Sequence, residues 1–564
     1  MKISLLVLTL GTLVFFSSCD TLNLNPLSYG SSDTWNSDAS EIQMSLNGLY
    51  KDAFWPTDYD DWTDDWMYRN SLSDITGGTI NGQTGFVVTY WDNCYKAIAR
   101  ANTILSSLNR ASGKVSAALL AQYKAEALFV RASQYSILIS HFGNVVYYTG
   151  TLDLDESFKL SQTDKATVLK YIYQDYDSAA ANLPVSYSST DLKHATKGAA
   201  YAMKARIALY NSDWAVAKEA AQKCIELGAY SLHPDYGNLF LSSTKNSVET
   251  IFGLPRSITL KVTWGDCQNF ITRNPGGWGA KCPSWDLFCS YLCTDGLTID
   301  KSPLFDPRNP FKNRDPRCAA TIVEFQTPHL GYIYQPHPDS TMVLKISTNT
   351  KVSNKDCRSV NQYASYNGLV WKKGIDGDWL LNSYQVEPDK IIIRYADVLL
   401  MYAEAKIELN EIDQSVLDAI NKVRARAYKV NYAQTTLYPA VTSTDRVELR
   451  KIVRTERRME FALEGIRYMD IIRWKLAEKV LNKPNYGMLD PADLRTKVIK
   501  PGLWFFPQTP AVDDDGVADF TPMYNAGLVK VLSLRDFDAT KQYLWPIPSK
   551  EILINSNLKQ NPNY

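Results

Sequence analysis

Helix-type spacing of apolar positions, with clear start and stop signals, runs through two blocks of this sequence, residues 40–228 and 394–480. Gly143, Pro184 and Gly228 stand where three of the helical patterns stop. The predicted helices cover residues 90–108, 117–142, 165–183, 197–210, 214–227, 395–409, 415–428, 448–463 and 466–480. The sequence therefore predicts a mainly α-helical protein.

Several of these helices form consecutive pairs joined by short turns. In residues 197–227, Ala205 and Leu209 on one helix and Ala217, Ala221 and Ile225 on the next recur at four-residue spacing. Small residues at these positions let two helices approach closely. A pair of this kind is about 34 residues long, which is tetratricopeptide-like, and pairs at 395–428 and 448–480 have similar lengths. Because one pair cannot bury its apolar face alone, we predict that the pairs stack as a solenoid.

A dense run of charges lies in the predicted helix 448–463. It consists of Arg454, Glu456, Arg457, Arg458 and Glu460. Such a run could be a binding patch, but more often it is a solvated helix face with internal ion pairs. We predict the solvated face.

Two segments outside the helical blocks, residues 229–393 and 481–545, are rich in Gly, Pro, Trp and Asn. They predict long loops with short strands and helices, and long irregular segments in a compact protein are usually functional. No linker or low-complexity run separates them from the helical blocks. We therefore predict that residues 19–564 form one integrated domain.

The first residues indicate export. Lys2 precedes an apolar run at residues 5–16, which is shorter than the roughly 20 residues of a membrane-spanning helix and is typical of a secretory signal. Ser17-Ser18-Cys19 then resembles a bacterial lipobox, so residues 1–18 are predicted as a lipoprotein signal peptide and Cys19 as the lipidated residue. The alternative is an ordinary secretion signal that ends near an unrelated cysteine. The lipid would hold the protein on a membrane.

The overall charge is balanced, with 60 Lys and Arg against 60 Asp and Glu. A chain without a basic patch does not predict nucleic-acid binding. The 14 Trp and 34 Tyr are many for a soluble chain, so either the core is rich in aromatic residues or some rings face a ligand.

Metal and disulfide sites are weakly indicated. Five of the nine cysteines lie between residues 267 and 318; some of them could pair, whereas zinc is disfavoured because no C-x-x-C occurs. The acidic stretch 513–519 lacks the spacing of a calcium loop and predicts a solvated turn. We predict no metal and no cofactor.

Several ordered stretches resemble the SusD/RagB family of surface lipoproteins. They are the segment LNLNP at 22–26, WDNCYKAIARAN at 91–102, AEALFVRA at 125–132 with HFG at 141–143, RYADVLLMYAEA at 394–405, the stretch from RTERRMEFA to GIRYMDIIRW at 454–474, and the ending LWPIPSKEI at 544–552 with NPNY at 561–564.

The resemblance implies a mainly α fold, in which four tetratricopeptide-like helix pairs form a solenoid scaffold and loop-rich insertions carry short strands and helices. It also implies a lipid-anchored protein on the outer face of the outer membrane, which delivers glycans, or in some members peptides, to a TonB-dependent SusC-like transporter. Asp20 departs from this, because in some bacteria the residue after the lipidated cysteine would retain the protein at the inner membrane. The family places ligands on the irregular segments, and no catalytic residue carries over.

The first candidate ligand site precedes the first long helix. Its predicted contacts are Trp62, Asp65, Trp66, Tyr68, Arg69 and Asn70. Aromatic rings stack on the flat faces of sugars, and planar polar groups pair with their hydroxyls. The alternative is a core segment, although the four aspartates at 60, 61, 64 and 65 would be costly to bury unpaired.

The second candidate site lies in residues 264–285. Its predicted contacts are Trp264, Asn269, Arg273, Trp278 and Trp285. Trp278 stands between Gly277 and Gly279, which suits a loop that presents a ring to solvent. The alternative is a disulfide-braced structural loop. Trp371 and Trp379 form a third, weaker candidate.

Three functions remain open besides glycan capture. An enzyme is disfavoured because the chain has no G-x-S-x-G, H-E-x-x-H or G-x-x-x-x-G-K-[ST] motif, although a glycosidase needs only two carboxylates. Peptide cargo would favour a polar cavity over exposed tryptophan rings. A purely structural surface protein would need no exposed aromatic cluster. We predict glycan capture without catalysis.

Overall fold

The computed structural model describes residues 34–188 and 193–564. The predicted signal peptide and Cys19 lie outside these residues. The α-helices are α1 (Ala39–Asn47), α2 (Gly85–Ser107), α3 (Ala117–Phe142), α4 (Leu154–Ser157), α5 (Lys165–Asn182), α6 (Lys197–Tyr210), α7 (Trp214–Glu226), α8 (Trp285–Ser290), α9 (Pro316–Thr321), α10 (Tyr395–Glu408), α11 (Gln414–Ala427), α12 (Arg446–Phe461), α13 (Arg467–Arg473), α14 (Ala477–Val480), α15 (Pro491–Leu494), α16 (Thr521–Asn525) and α17 (Ser549–Ile554).

Local signals set the helix ends. The Ser116 hydroxyl accepts from the backbone N–H of Leu119 to begin α3, and Gly143, with φ of 78°, ends it. Asp213 caps α7 in the same way through Val216. The predicted bounds of α3 and α6 are confirmed. The predicted helix 466–480 is wrong, because Lys475 adopts a left-handed backbone with φ of 58° and divides it into α13 and α14.

The long helices pack in chain order. Successive contacts join α2, α3, α5, α6, α7 and α10, and α10 then contacts α11 and α12. Ala205 of α6 and Ala217 and Ala221 of α7 are fully buried, as their four-residue spacing predicts. The mainly helical scaffold is thus confirmed.

Short antiparallel strands lie mostly in the insertions, with the first three of them in loops of the first helical block. These are β1 (Trp66–Tyr68), β2 (Val145–Val146), β3 (Gln162–Thr163), β4 (Thr250–Leu254), β5 (Lys281–Pro283), β6 (Pro328–His329), β7 (Tyr332–Ile333), β8 (Met342–Lys345), β9 (Thr350–Ser353), β10 (Lys390–Arg394), β11 (Pro484–Gly487), β12 (Ala511–Val512), β13 (Ala518–Asp519) and β14 (Lys530–Leu534). Strands β6 to β9 form one sheet, and the others pair as β1–β5, β4–β10, β11–β14, β12–β13 and β2–β3. A separate hydrophobic cluster fills the insertions around Trp285, Phe288 and Trp371.

The charged run of α12 is an interior network, so the prediction of a solvated face is wrong. Glu456, Arg457, Arg458 and Glu460 are each at most 5% exposed. Their partners come from other segments: Arg457 pairs with Asp397 of α10 at 2.8 Å, and Glu460 pairs with Arg317 of α9, in the insertion 229–393, at 3.0 Å. Buried charges must be paired, and here the pairs tie the helices to the insertions.

The cysteines and the acidic stretch 513–519 have structural rather than metal-binding surroundings in the described part of the chain. The eight cysteines in the described part of the chain are buried and unpaired, so no disulfide braces residues 264–285. Residues 34–188 and 193–564 contain no cluster of three or more His, Cys, Asp or Glu that could hold a metal ion. Asp513 and Asp515, in the turn between β12 and β13, pair with Lys479. None of the helices in the described ranges has the length and apolar character needed to cross a bilayer.

Candidate functional site

The two main candidate segments are neighbours in the fold. Strand β1 pairs antiparallel with β5, with Tyr68 opposite Lys281 and Met67 opposite Cys282. The backbone N–H of Arg69 continues the contact by donating to the carbonyl of Ala280 at 3.0 Å. This register places the end of the first segment beside the loop that carries Trp278.

A surface that we call the Trp278 platform lies there: the side chains of Tyr68, Arg69, Arg273 and Tyr363 meet beside the backbone carbonyl of Trp278, whose ring projects from the same loop. Arg69 Nη2 and Arg273 Nη1 both donate to the carbonyl oxygen of Trp278, at 2.9 and 3.2 Å. The same two guanidinium groups lie 5.3 and 5.8 Å from the centre of the Tyr363 ring. Trp278 is 48% exposed and Tyr363 is 47% exposed. The two arginines and the Tyr363 ring therefore form one cluster, and the exposed Trp278 ring belongs to the loop that both arginines bind.

The loop that presents Trp278 is fixed by its backbone. The N–H of Trp278 donates to Gln268 at 2.9 Å, and the N–H of Gly279 donates to Ile271 at 2.8 Å. A Cβ at Gly277 would overlap the carbonyl of Ile271, so this close approach requires glycine. With its backbone held, Trp278 has only its ring free to project outward.

A buried carboxylate anchors the other end of this loop. Asp356 accepts from the backbone N–H groups of Arg273 and Asn274 at 2.6 and 3.2 Å. Burial raises the pKa of Asp356 to about 6, against the lowering effect of these two donors. The carboxylate therefore positions the backbone of Arg273 rather than pairing with its side chain.

The platform is positively charged. Within the described ranges, no carboxylate oxygen lies within 4.0 Å of the guanidinium nitrogens of Arg69 or Arg273. Desolvation, followed by the charge of Arg69, lowers the pKa of Arg273. Arg69 also has a left-handed backbone with φ of 48°, an unfavourable conformation for a residue with a side chain.

An aromatic cleft with a cavity volume of about 290 Å³ adjoins Trp66 of β1. Its walls include Trp66, Trp264, Phe270 and Trp379, and Trp264 meets Trp379 edge-to-face at 5.0 Å. The Lys281 ammonium group lies 5.0 Å from the centre of the Trp66 ring. Trp66 and Trp379 are each 3% exposed, so the rings that the cleft offers are the exposed Tyr59 and the half-buried Trp264.

Besides Trp66, three predicted contacts lie in the interior and present no surface to a ligand. Trp62 is 3% exposed and packs edge-on against Trp545. Asp65 is fully buried and pairs with Arg458 at 2.7 Å. Trp285 is 2% exposed, and its Nε1 donates to the carbonyl of Asn367 at 2.9 Å.

The buried aspartates find partners that lie almost 400 residues away in the chain. Arg458 and Arg467 both pair with Asp64, at 2.8 and 2.9 Å. For Asp64 and Asp65, the cost of burial that argued for a surface segment is thus offset by ion pairs that the local sequence does not show.

The remaining predicted residues divide between the two surfaces. Asn70 is exposed beside the platform, whereas Asn269 donates to Asp266 at 2.6 Å on the cleft side. Trp371, from the third candidate, is fully buried. Tyr363 was not predicted. It could have been predicted because it is an aromatic residue in the polar stretch NQYASYNG at 361–368, which resembles the other candidate loops in composition.

Family models cover most of the chain. The model described as "SusD family" matches residues 249–564, and the one described as "Starch-binding associating with outer membrane" matches residues 34–209. SusD-like protein P2 of Formosa agariphila is 26% identical over 601 aligned residues, covering 100% of this chain and 99% of that protein.

Solved structures share the fold. A SusD-like carbohydrate binding protein of Bacteroides fragilis is 29% identical with a TM-score of 0.77, covering 93% of this chain and 100% of that one. Surface glycan-binding protein A of Bacteroides fluxus is 20% identical with a TM-score of 0.62, covering 93% and 99%. With one family model matching more than half of its length, the chain belongs to the SusD family.

Proposed function

We propose that this protein captures glycans at the cell surface through the Trp278 platform and delivers them to a TonB-dependent SusC-like transporter in the outer membrane, without catalysing a reaction. The observation that carries the proposal is the pair of half-exposed rings, Trp278 and Tyr363, flanked by the planar groups of Arg69, Arg273 and Asn70. This is the combination that recognises sugar faces and hydroxyls. The carbohydrate-binding and glycan-binding descriptions of the two solved relatives support it.

More than one aromatic ring is needed to hold a sugar chain. Covering one indole face with a pyranose removes about 80 Å² of apolar area from water, which is worth about 2 kcal/mol at 25 cal/mol per Å². Loss of rotational and translational freedom offsets much of this. A single ring would therefore bind weakly, whereas two rings with directed hydrogen-bond donors would bind more tightly.

The test is binding of the soluble chain, residues 20–564, to a panel of polysaccharides and a peptide mixture. Trp278→Ala and Tyr363→Ala are each expected to weaken glycan binding about ten-fold or more, because each removes roughly 1.4 kcal/mol or more of stacking. Tyr171→Ala is the matched control, because Tyr171 is 38% exposed on helix α5 in the scaffold. Circular dichroism checks that the variants remain folded.

Each outcome decides between functions. Glycan binding that is lost in both platform variants and kept in the control supports the proposal. Peptide binding without glycan binding would change the cargo while leaving the import role. Release of new reducing ends from the bound glycan would contradict the absence of catalysis.

The outer-membrane role is proposed from the family. A SusC-like transporter from the same organism, co-expressed with the tagged full-length chain, is expected to co-purify with it from membranes. A platform variant that no longer binds glycan should still co-purify, because capture and transporter contact are separate steps. Failure of the parent protein to co-purify would contradict the delivery role and leave glycan capture unaffected.

A further inference from the structure

We propose that the Trp278 platform selects acidic glycans, and that Arg69 and Arg273 together hold one carboxylate or sulfate group of the sugar chain. The inference rests on glycan binding at this platform, as proposed above, and adds the chemical class of the glycan.

The two guanidinium groups converge without an ion-pair partner. Both bond to the carbonyl of Trp278 and both lie over the Tyr363 ring. Two like charges held this close repel each other, and no carboxylate of the described chain lies within ion-pair distance of either. An anionic group on the ligand would supply the missing charge.

The contrast with other arginines of the same protein is sharp. Arg317 pairs with Asp315, Glu456 and Glu460, and Arg394 pairs with Glu249, Glu460 and Glu464. This fold therefore neutralises clustered arginines where they serve structure. At the platform it does not, although the environment already lowers the pKa of Arg273.

The acids close to the platform are committed to other groups. The oxygens of Asp356 accept from two backbone N–H groups. The carboxylate of Asp266 pairs with Lys281 and accepts from Asn269. Neither is free to rotate onto the two guanidinium groups without breaking these bonds.

The donors needed to bind an anion remain available. A guanidinium group carries five N–H donors, and the hydrogen bonds described here use one side-chain N–H of Arg69 and one of Arg273. Planar, paired donors match the geometry of carboxylate and sulfate groups. In addition, Arg69 has a left-handed backbone, and local strain of this kind clusters at ligand sites.

The experiment compares charged polymers with their neutral counterparts on the soluble chain, residues 20–564. The probes are polygalacturonate and its carboxyl-reduced form, chondroitin sulfate and its desulfated form, and neutral laminarin. The parent protein is expected to bind at least one acidic polymer ten-fold or more tightly than its neutral counterpart. The affinity for that polymer should fall as sodium chloride rises from 50 to 300 mM, because a charge contact is screened. The carboxylate and sulfate pairs distinguish the two sources of charge.

Variants assign the effect to the two side chains. Arg69→Gln and Arg273→Gln are each expected to remove most of the preference for the acidic polymer, while Lys at either position retains part of it. Arg100→Gln is the charge-matched control, since Arg100 is exposed on helix α2. The salt dependence of the parent protein needs no variant and tests the inference even if a substitution disturbs folding.

The outcomes separate this inference from the proposed function. Equal binding to acidic and neutral forms, or binding to neutral laminarin alone, would overturn the acidic preference and leave glycan capture intact. A preference that survives both Gln variants would also overturn it, because the charge contact would lie elsewhere. Binding to no glycan would overturn both proposals.

Discussion

Glu460 is the centre of the buried charge network, and replacing it with Gln is a direct test of what the network contributes. Its carboxylate accepts from Arg394 at 2.7 Å, from Arg317 at 3.0 Å and from Arg426. These arginines come from three different segments, so one carboxylate joins α9, the start of α10 and α11. The substitution keeps the size of the side chain and removes its charge.

The expected loss can be estimated from this geometry. Removing one partner of a buried ion pair costs about 3–5 kcal/mol, because the other charge stays buried. At about 2.1 cal/mol/K per residue, a chain of 564 residues has an unfolding entropy of about 1.2 kcal/mol/K. A loss of about 4 kcal/mol then lowers Tm by about 3–4 °C. Thermal unfolding followed by circular dichroism measures the shift.

Glu448→Gln is the matched control, because Glu448 lies on the same helix, α12, and is exposed. It makes the same change of charge and should move Tm by less than about 1 °C. An equal Tm for the two variants would refute the reasoning, since it would mean that the buried carboxylate contributes no more than a solvated one.

The effect of pH has a definite sign. Burial by itself would raise the pKa of Glu460, but Arg426, Arg394 and Arg317 outweigh it and hold this pKa well below its ordinary value. The stability that Glu460 contributes is therefore complete above the pKa of the unfolded state, near 4.5, and declines as pH falls further. The difference in Tm between the parent and Glu460→Gln should be full at pH 7 and narrow below about pH 4.5. A gap that widens in acid would contradict this.

Three further predictions concern other parts of the chain. Burial raises the pKa of Asp61 from 3.8 to about 6. The folded state therefore loses stability as pH rises from about 4 to about 6, because the carboxyl group ionises more readily in the unfolded chain. Asp61→Asn should raise Tm at pH 7.5 and lose this advantage near pH 4; an equal gain at both values would contradict the assignment. Gly277→Ala should weaken glycan binding as strongly as loss of the Trp278 ring, while Gly150→Ala, where a Cβ meets no atom within 4 Å, should leave binding unchanged. Cys19→Ser should abolish incorporation of labelled palmitate and release the chain from the membrane fraction; retained labelling would show that Cys19 is not the lipidated residue.

Short-range patterns were sufficient for much of the scaffold. Helices α3 and α6 begin and end where the sequence predicts, because caps, glycines and apolar spacing act within a few residues. The exposed ring of Trp278 was also predicted from its neighbouring glycines. In these cases the residues that determine the structure lie within a few positions of the feature that they determine.

The charged residues of α12 show where local reading fails. The same local sequence is compatible with a solvated helix face and with a buried network. The two differ only in whether oppositely charged side chains from distant parts of the chain pack against the helix. Arg458 is buried because Asp64 and Asp65 meet it, and those residues lie nearly 400 positions away. Sequence separation of this size carries no periodic signal.

The candidate site divides in the same way. The composition of residues 62–70 and 264–285 by itself determined that aromatic and polar side chains would be concentrated there. Only the tertiary structure decided that Trp62 and Trp285 fill cores while Arg69, Arg273 and Trp278 share a surface with Tyr363. The physical reason is that exposure depends on which strand or helix packs against a segment, and the pairing of β1 with β5 joins residues more than 200 positions apart.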